Sequence, residues 1–309
     1  GAFGIAPVEP VIDHKAVHDH VKGVIDAIAP NDSVERFTGL GVNVIQATGR
    51  FVDRHTVQAG DATITARRFV IATGSSPMVP PIRGLDGVPY FTNETLFDNA
   101  AKLDHLIIIG GGPIGLEMAQ AHRRLGSQVT VLEALKALGK DDPELSGVVL
   151  RRLDDEGVVV REGAAVEAVS GDAGEITVEF KTEAGAESIK GSHLLVAVGR
   201  RPNIGDLGLE AAGVETGRGG IVVDGGLVTS NRKVFAIGDC AGGPLFTHVA
   251  NYHAGIVIRR ALFQMPAKVR AETIPWVTFT EPELAHVGLT EAQAREAGGE
   301  GRVLRWPMH

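Results

Sequence analysis

Leu106-Ile107-Ile108-Ile109-Gly110-Gly111-Gly112-Pro113-Ile114-Gly115 is the stretch that decides the fold. Four apolar residues read as a short buried strand, and glycines spaced G-x-G-x-x-G follow at once. Gly110 permits a tight turn, Gly112 lets backbone approach a pyrophosphate, and Gly115 allows a helix to pack close to the strand. That helix offers phosphates its unpaired N–H groups and the positive end of its dipole. Ile114, Met118, Ala121 and Leu125 recur at helical spacing and are expected to form its inward face. Beyond Gly126, Val129-Thr130-Val131-Leu132 reads as a second strand ending in Glu133, 21 positions after Gly112. A carboxylate there accepts from a ribose 2′-hydroxyl and repels a 2′-phosphate, and no arginine follows immediately to bind one. A bare glycine turn needs no ligand. The full set of strand, helix, second strand and acid makes Leu106 to Glu133 a βαβ unit for a dinucleotide, NAD(H) in preference to NADPH.

Working outward, two segments share one pattern. Arg68-Phe69-Val70-Ile71-Ala72-Thr73-Gly74-Ser75-Ser76-Pro77 parallels His193-Leu194-Leu195-Val196-Ala197-Val198-Gly199-Arg200-Arg201-Pro202. Each reads as a central parallel strand closed by Ala-x-Gly and then Pro. Upstream, Gly41-Val42-Asn43-Val44-Ile45 parallels Gly157-Val158-Val159-Val160, and Glu175-Ile176-Thr177-Val178-Glu179-Phe180 alternates as a half-buried strand. The copies predict two nucleotide-binding domains of one architecture. Gly157 follows Gly110 by 47 positions, and the same step back from Gly41 falls before residue 1. The phosphate loop of the first copy is therefore expected outside these 309 residues, and Gly1 and Arg305-Trp306-Pro307-Met308-His309 read as cuts through a longer protein.

Composition narrows the function classes. Hydrophobic residues at 44% and charged residues at 22% suit a globular α/β protein of about two domains. A net charge of −8 with no Lys/Arg block argues against a nucleic-acid partner. Apolar runs such as Leu106–Ile109 and Leu194–Val198 are too short to cross a membrane, and no leader pattern is visible. Cys240 is the single cysteine. It allows no internal disulfide, fits a cytoplasmic location, and reads as a small packing residue. His14, His18 and His20 stand close together, with His14 and His18 one helical turn apart. Without an H-E-x-x-H pattern they read as part of a surface helix over Ala16–Ile28, and no metal site is expected.

These motifs, taken in order, resemble the class I pyridine nucleotide–disulfide oxidoreductases, most nearly the dihydrolipoamide dehydrogenase and mercuric reductase branches. The resemblance rests on Ala72-Thr73-Gly74-Ser75, on Ile109 to Glu117, on Val198-Gly199-Arg200-Arg201-Pro202 and on Val234-Phe235-Ala236-Ile237-Gly238-Asp239. Phe279-Thr280-Glu281-Pro282-Glu283-Leu284 and Val287-Gly288-Leu289-Thr290 extend it into what resembles the family's dimer-interface domain. It implies an α/β fold of two Rossmann-like FAD/NAD(P)-binding domains, the second inserted in the first, plus the start of an α+β interface domain. The implied bounds are 1–103 and 204–261 for the FAD domain, 104–203 for the NAD domain and 262–309 for the interface domain.

The resemblance also implies site residues. Gly49, Thr73, Gly74 and Ser75 would touch FAD, and Asp239 would accept from a ribityl hydroxyl. Leu245, Phe246, Thr247 and His248 would lie along the isoalloxazine, with backbone N–H groups near its pyrimidine edge. For NAD it adds Leu116, Glu117 near the nicotinamide, Val166 near adenine, and Gly199 where nicotinamide meets flavin, beside Gly110, Gly111, Gly112, Pro113, Ile114, Gly115 and Glu133. Each has a plainer reading: Gly238-Asp239 as a turn, Thr73-Gly74 as a strand end, His248 as an ordinary hydrogen-bonded histidine. Arg200 and Arg201 receive no role. In the family a cysteine pair and a partner's His–Glu pair handle sulfur and proton. Neither is visible here, so no catalytic residue is named and the fragment alone is expected to be inactive. The implied activity is electron transfer between NAD(H) and a dithiol or disulfide, lipoyl-type or another small molecule, by a homodimer. Mercuric reductase-like chemistry, a disulfide-less soluble transhydrogenase and a non-catalytic nucleotide-binding module stand as alternatives.

Overall fold

A computed structural model describes residue 4, residues 10–299 and residues 301–306. Gly1 and Pro307 to His309, named above as cut ends, lie outside the described residues. The chain divides into two compact units: residues 1–42, 79–198 and 278–284 form the first, and residues 43–78, 199–277 and 285–309 the second.

In the first unit four parallel strands run in the order His193–Val196, His105–Ile109, Gln128–Glu133, Val158–Glu162. The pleat sends alternate residues of His105–Ile109 into two cores. Leu106 and Ile108 meet Leu116, Ala119, Val149 and Leu153 from the helices Pro113–Arg124 and Pro143–Asp155. Ile107 and Ile109 meet Ile176, Val178 and Phe180 from an antiparallel sheet of Ala165–Asp172, Glu175–Thr182 and Gly185–Gly191. Burial on both faces is why Leu106 to Ile109 run apolar without alternation. Glu175–Thr182 does alternate, with Ile176, Val178 and Phe180 buried. The helix His14–Ile28 is capped by Asp13, buries no residue, and is tied down by Lys22 Nζ donating to Asp98 Oδ1 at 2.5 Å.

In the second unit Phe69–Ile71 pairs in parallel with Val234–Ala236, and Ser75–Pro77 pairs antiparallel with Arg200–Pro202. Val234 and Ala236 pack with Phe51, Ile71 and Cys240, whereas Phe235 packs with Leu227, Ile256 and Val257. The helix Thr247–Ala261 supplies Ile256 and Val257.

Four sequence readings differ in detail. The buried face of Pro113–Arg124 is Gly115, Leu116, Ala119 and Gln120, while Ala121 is exposed and Ile114, Met118 and Leu125 are half-buried. The register shifts because Gln120 finds polar partners inside, described below. Gly41 to Ile45 forms no strand, since no neighbour among the described residues pairs with it. His193–Val196 ends its sheet, and among the described residues only Phe91 bridges its outer side, at Leu195. Finally, residues 79–103 join the first unit: Phe91 N–H donates to Leu194 O at 2.7 Å, Val169 N–H donates to Arg83 O at 2.8 Å, and Leu85, Leu96 and Leu103 are buried in its cores. Residues 199–203 fall in the second unit.

Candidate functional site

The glycine turn of the first unit distinguishes its glycines by what surrounds them. At Gly110 φ is +113°, and a Cβ would stand 2.4 Å from the Ala197 carbonyl oxygen. At Gly115 a Cβ would meet the Gly110 oxygen at 2.0 Å. Both exclude any side chain for reasons of folding. Gly112 has an ordinary φ of −78°, and a Cβ there would meet nothing within 4 Å. The open space lies at the N-cap of the helix Pro113–Arg124, whose first-turn Ile114 and Gly115 N–H groups have no intrahelical acceptor. No acidic residue sits in that first turn, and His122, Arg123 and Arg124 sit in the last, aligned with the dipole. This cradle fits a pyrophosphate.

Glu133 closes the turn. Its Oε2 accepts the Gly111 N–H at 2.7 Å and its Oε1 accepts the Leu135 N–H at 2.8 Å. Each oxygen keeps a further lone pair for a sugar hydroxyl, and the anion is held beside the helix start. Leu116 is fully buried beneath the turn, a packing role. Val166 is half-buried against the second core. Glu117, on the same helix, accepts the Phe279 N–H at 2.8 Å through Oε1. Burial pushes its carboxyl up from the usual range, partly offset by that N–H.

The second unit holds a cavity of about 500 Å³ lined by Ala72, Gly74, Arg200, Gly238, Asp239 and Leu245, among others. Ser75 Oγ donates to Asp239 Oδ2 at 2.5 Å. Arg200 completes the arrangement, Nε donating to Ser75 Oγ at 2.7 Å and Nη2 to the Ser75 carbonyl at 2.6 Å. Thr73 Oγ1 donates to Asn203 O at 2.6 Å. Thr247, which also lines the cavity, opens the helix Thr247–Ala261, so the first N–H groups of that helix lie at the cavity wall. Phe246 stacks on His248 with ring centres 5.4 Å apart, and His248 Nε2 bonds Pro275 O at 2.8 Å. His253 is buried and accepts the Gly238 N–H on Nδ1 at 3.1 Å, and burial lowers its pKa.

The structure thus gathers Gly74, Asp239, Leu245 and Thr247 around one cavity, with Ser75 bonded to Asp239 behind it, and Gly110 to Gly115 with Glu133 around one turn. Gly49 stands outside the cavity, at the start of the strand Gly49–Phe51. Gly199 adopts φ +127° in the second unit, its carbonyl accepting from Met78 N–H at 2.9 Å. Sequence reasoning left out Arg200 and His253. Arg200 sits inside a motif already matched, and that recurrence was the available signal. Cys240 is buried, its Sγ donating to Ile237 O at 3.2 Å. Among the described residues no cluster of three or more His, Cys, Asp or Glu is placed to hold a metal ion, and no helix is long and apolar enough to cross a membrane.

Comparison with known proteins bears on both sites. Residues 6–254 match the family model for pyridine nucleotide-disulphide oxidoreductases, and residues 274–309 match that family's dimerisation domain. Mercuric reductase from Bacillus cereus is 40% identical over 270 residues, covering 87% of this chain and 43% of the relative. Dihydrolipoyl dehydrogenase 3 from Pseudomonas aeruginosa is 38% identical over 274 residues, covering 85% of this chain and 57% of the relative. The crystal structure of LpdA from Mycobacterium tuberculosis superposes with a TM-score of 0.84 at 28% identity, covering 96% of this chain and 66% of that one. The chain spans about half the length of these curated relatives.

Proposed function

Because the chain belongs to the pyridine nucleotide–disulphide oxidoreductase family, whose members use FAD and NAD(P)H, we propose that it passes electrons between NAD(H) and a dithiol or disulfide, in the manner of a dihydrolipoamide dehydrogenase. The observation that carries the choice of nucleotide is the Glu133 carboxylate held on the Gly111 N–H at 2.7 Å. An anion fixed there accepts from ribose hydroxyls and opposes a 2′-phosphate. Gly112 and the first-turn N–H groups of the helix take the pyrophosphate, and Glu117 faces the nicotinamide end. FAD, when bound, supplies the two-electron carrier between nucleotide and sulfur.

In the second unit Asp239 holds a ribityl hydroxyl, its carboxylate fixed by Ser75, which Arg200 holds in turn, and Thr247 and His248 present N–H groups to the ring edge. Gly49, Thr73 and Gly74 complete that side, and Val166 the nucleotide side. Cys240 is packed and solitary, so it takes no redox role. The match of residues 274–309 supports a homodimer. Hg(II) reduction is the second reading, favoured by the 40% identity to the Bacillus cereus mercuric reductase.

The test is to take the protein that carries this chain together with the segments expected on either side of it, load it with FAD, add NADH without oxygen, and then offer lipoamide or Hg(II). Loss of the oxidised-flavin band and lipoamide-dependent NADH oxidation are expected. Turnover with Hg(II) alone moves the assignment to the second reading. Failure to take up flavin while still binding NADH would leave a non-catalytic nucleotide-binding module.

A further inference from the structure

Gln120 is a polar side chain buried on the packed face of the helix Pro113–Arg124, at 4% exposure. Its Oε1 accepts the N–H of Glu281 at 2.7 Å, and its Nε2 donates to the carbonyl of the same residue at 2.9 Å. A side-chain amide that bonds both backbone groups of one residue fixes both adjoining peptide planes. Nε2 also reaches Glu156 Oε1 at 3.2 Å. One turn further along, Arg124 Nη1 pairs with Glu281 Oε2 at 2.6 Å, and its Nε and Nη2 grip the Glu156 carboxylate at 2.9 and 2.7 Å. One turn back, Glu117 Oε1 takes the Phe279 N–H.

Glu117, Gln120 and Arg124 lie at i, i+3 and i+7, so they form one ladder along the helix. Its other side is the backbone of residues 279–281, which falls in the stretch matching the dimerisation domain. Among the described residues Glu117 Oε2 has no hydrogen-bond partner. The ladder therefore holds one carboxylate oxygen and leaves the other unbonded by the described residues.

We propose that Gln120 is a positioning residue: by fixing the Glu281 backbone it keeps the Phe279 N–H on Glu117 Oε1, and so aims Glu117 Oε2 at the nicotinamide end of the bound nucleotide. The proposal rests on the NAD reading above. A reacting group displaced by about an ångström loses much of its effect, which makes such a hold consequential. Gln120 itself touches no nucleotide. Its influence is confined to the nicotinamide end, because the pyrophosphate cradle at Gly112 makes no use of residues 279–281.

Calorimetric affinities of the 309-residue chain for NADH and for ADP-ribose test this, since ADP-ribose lacks the nicotinamide. Q120M fills the same space without an amide. It is expected to weaken NADH about fivefold, the effect of one ordinary hydrogen bond, and to leave ADP-ribose unchanged. In an E117Q background Q120M is expected to add nothing to the loss of NADH affinity, as residues acting through one another are non-additive. Equal weakening of both ligands, no weakening of either, or additivity with E117Q overturns the proposal. Q120N, a methylene short of Glu281, is the second variant should Q120M not fold, with the same outcomes. A wild-type chain that binds neither ligand overturns the NAD reading itself, whereas binding of both without the Q120M difference overturns only the role of Gln120.

Discussion

Glu133 and Gly111, 22 positions apart, are joined at 2.7 Å by a hydrogen bond from the Gly111 N–H to Glu133 Oε2. The bond ties the end of one parallel strand to the turn that follows its neighbour. With Leu135 on the other oxygen, the carboxylate is fixed before any ligand arrives. Preorganisation of this kind lowers the ordering cost of binding. Glu133→Ala leaves two N–H groups without their acceptor and is expected to cost ~1–3 kcal/mol in urea denaturation. An unchanged midpoint would show that the bond contributes nothing to the fold.

The glycine turn separates folding from binding. Gly110→Ala and Gly115→Ala drive a Cβ into backbone oxygens at 2.4 and 2.0 Å and are expected to lose about 3 kcal/mol or more of stability. Gly112→Ala meets open space, so its stability should stay within about 0.5 kcal/mol while NADH affinity falls at least about tenfold. Thermal melts paired with NADH titrations check this. A Gly112→Ala variant with normal affinity would remove the pyrophosphate from the cradle.

Arg200 makes two bonds to Ser75, which in turn bonds Asp239. Arg200→Lys keeps the charge but not the planar fork. It is expected to weaken FAD binding about tenfold with a small change in melting temperature, and Asp239→Ala to weaken it further. Flavin fluorescence quenching measures both. Equal FAD affinity in Arg200→Lys and the parent would confine Arg200 to a packing role.

What the sequence made legible is what lies close along the chain. The spacing of Gly110, Gly112, Gly115 and Glu133 encodes a turn whose parts touch within one βαβ unit, so a pattern of residues maps directly onto contacts. The helix face lies one position from where its sequence pattern puts it, because Gln120 has the character of a surface residue and its partner Glu281 is 161 positions away. The role of Arg200 is hidden in the sequence for the same reason: Ser75 lies 125 positions away. Gly41 to Ile45 has a strand's composition but no neighbour to pair with among the described residues, and pairing rather than propensity makes a strand.

Acid should destabilise the chain in a defined window. Burial, and after it the neighbouring His14, pushes His122 down to about 4, and burial lowers His105 and His193 as well. Such a group stays neutral when folded but takes up a proton when unfolded. The stability His122 contributes is therefore complete above about pH 6.5 and is lost as the pH falls from there toward 4, at ~1.4 kcal/mol per unit at most, and His105 and His193 act in the same direction. His122→Gln is expected to flatten that fall in urea midpoints measured across the window. Parallel curves for His122→Gln and the parent would remove His122 as a contributor.

The most direct measurement is the ratio of NADH to NADPH affinity, by calorimetry, in the wild-type chain and in Glu133→Arg. The account predicts NADH preference of about tenfold or more in the wild type, and a shift toward NADPH in the variant as an anion is replaced by a cation beside the 2′-position. Equal affinities in the wild type, or a ratio that Glu133→Arg does not move, would contradict it.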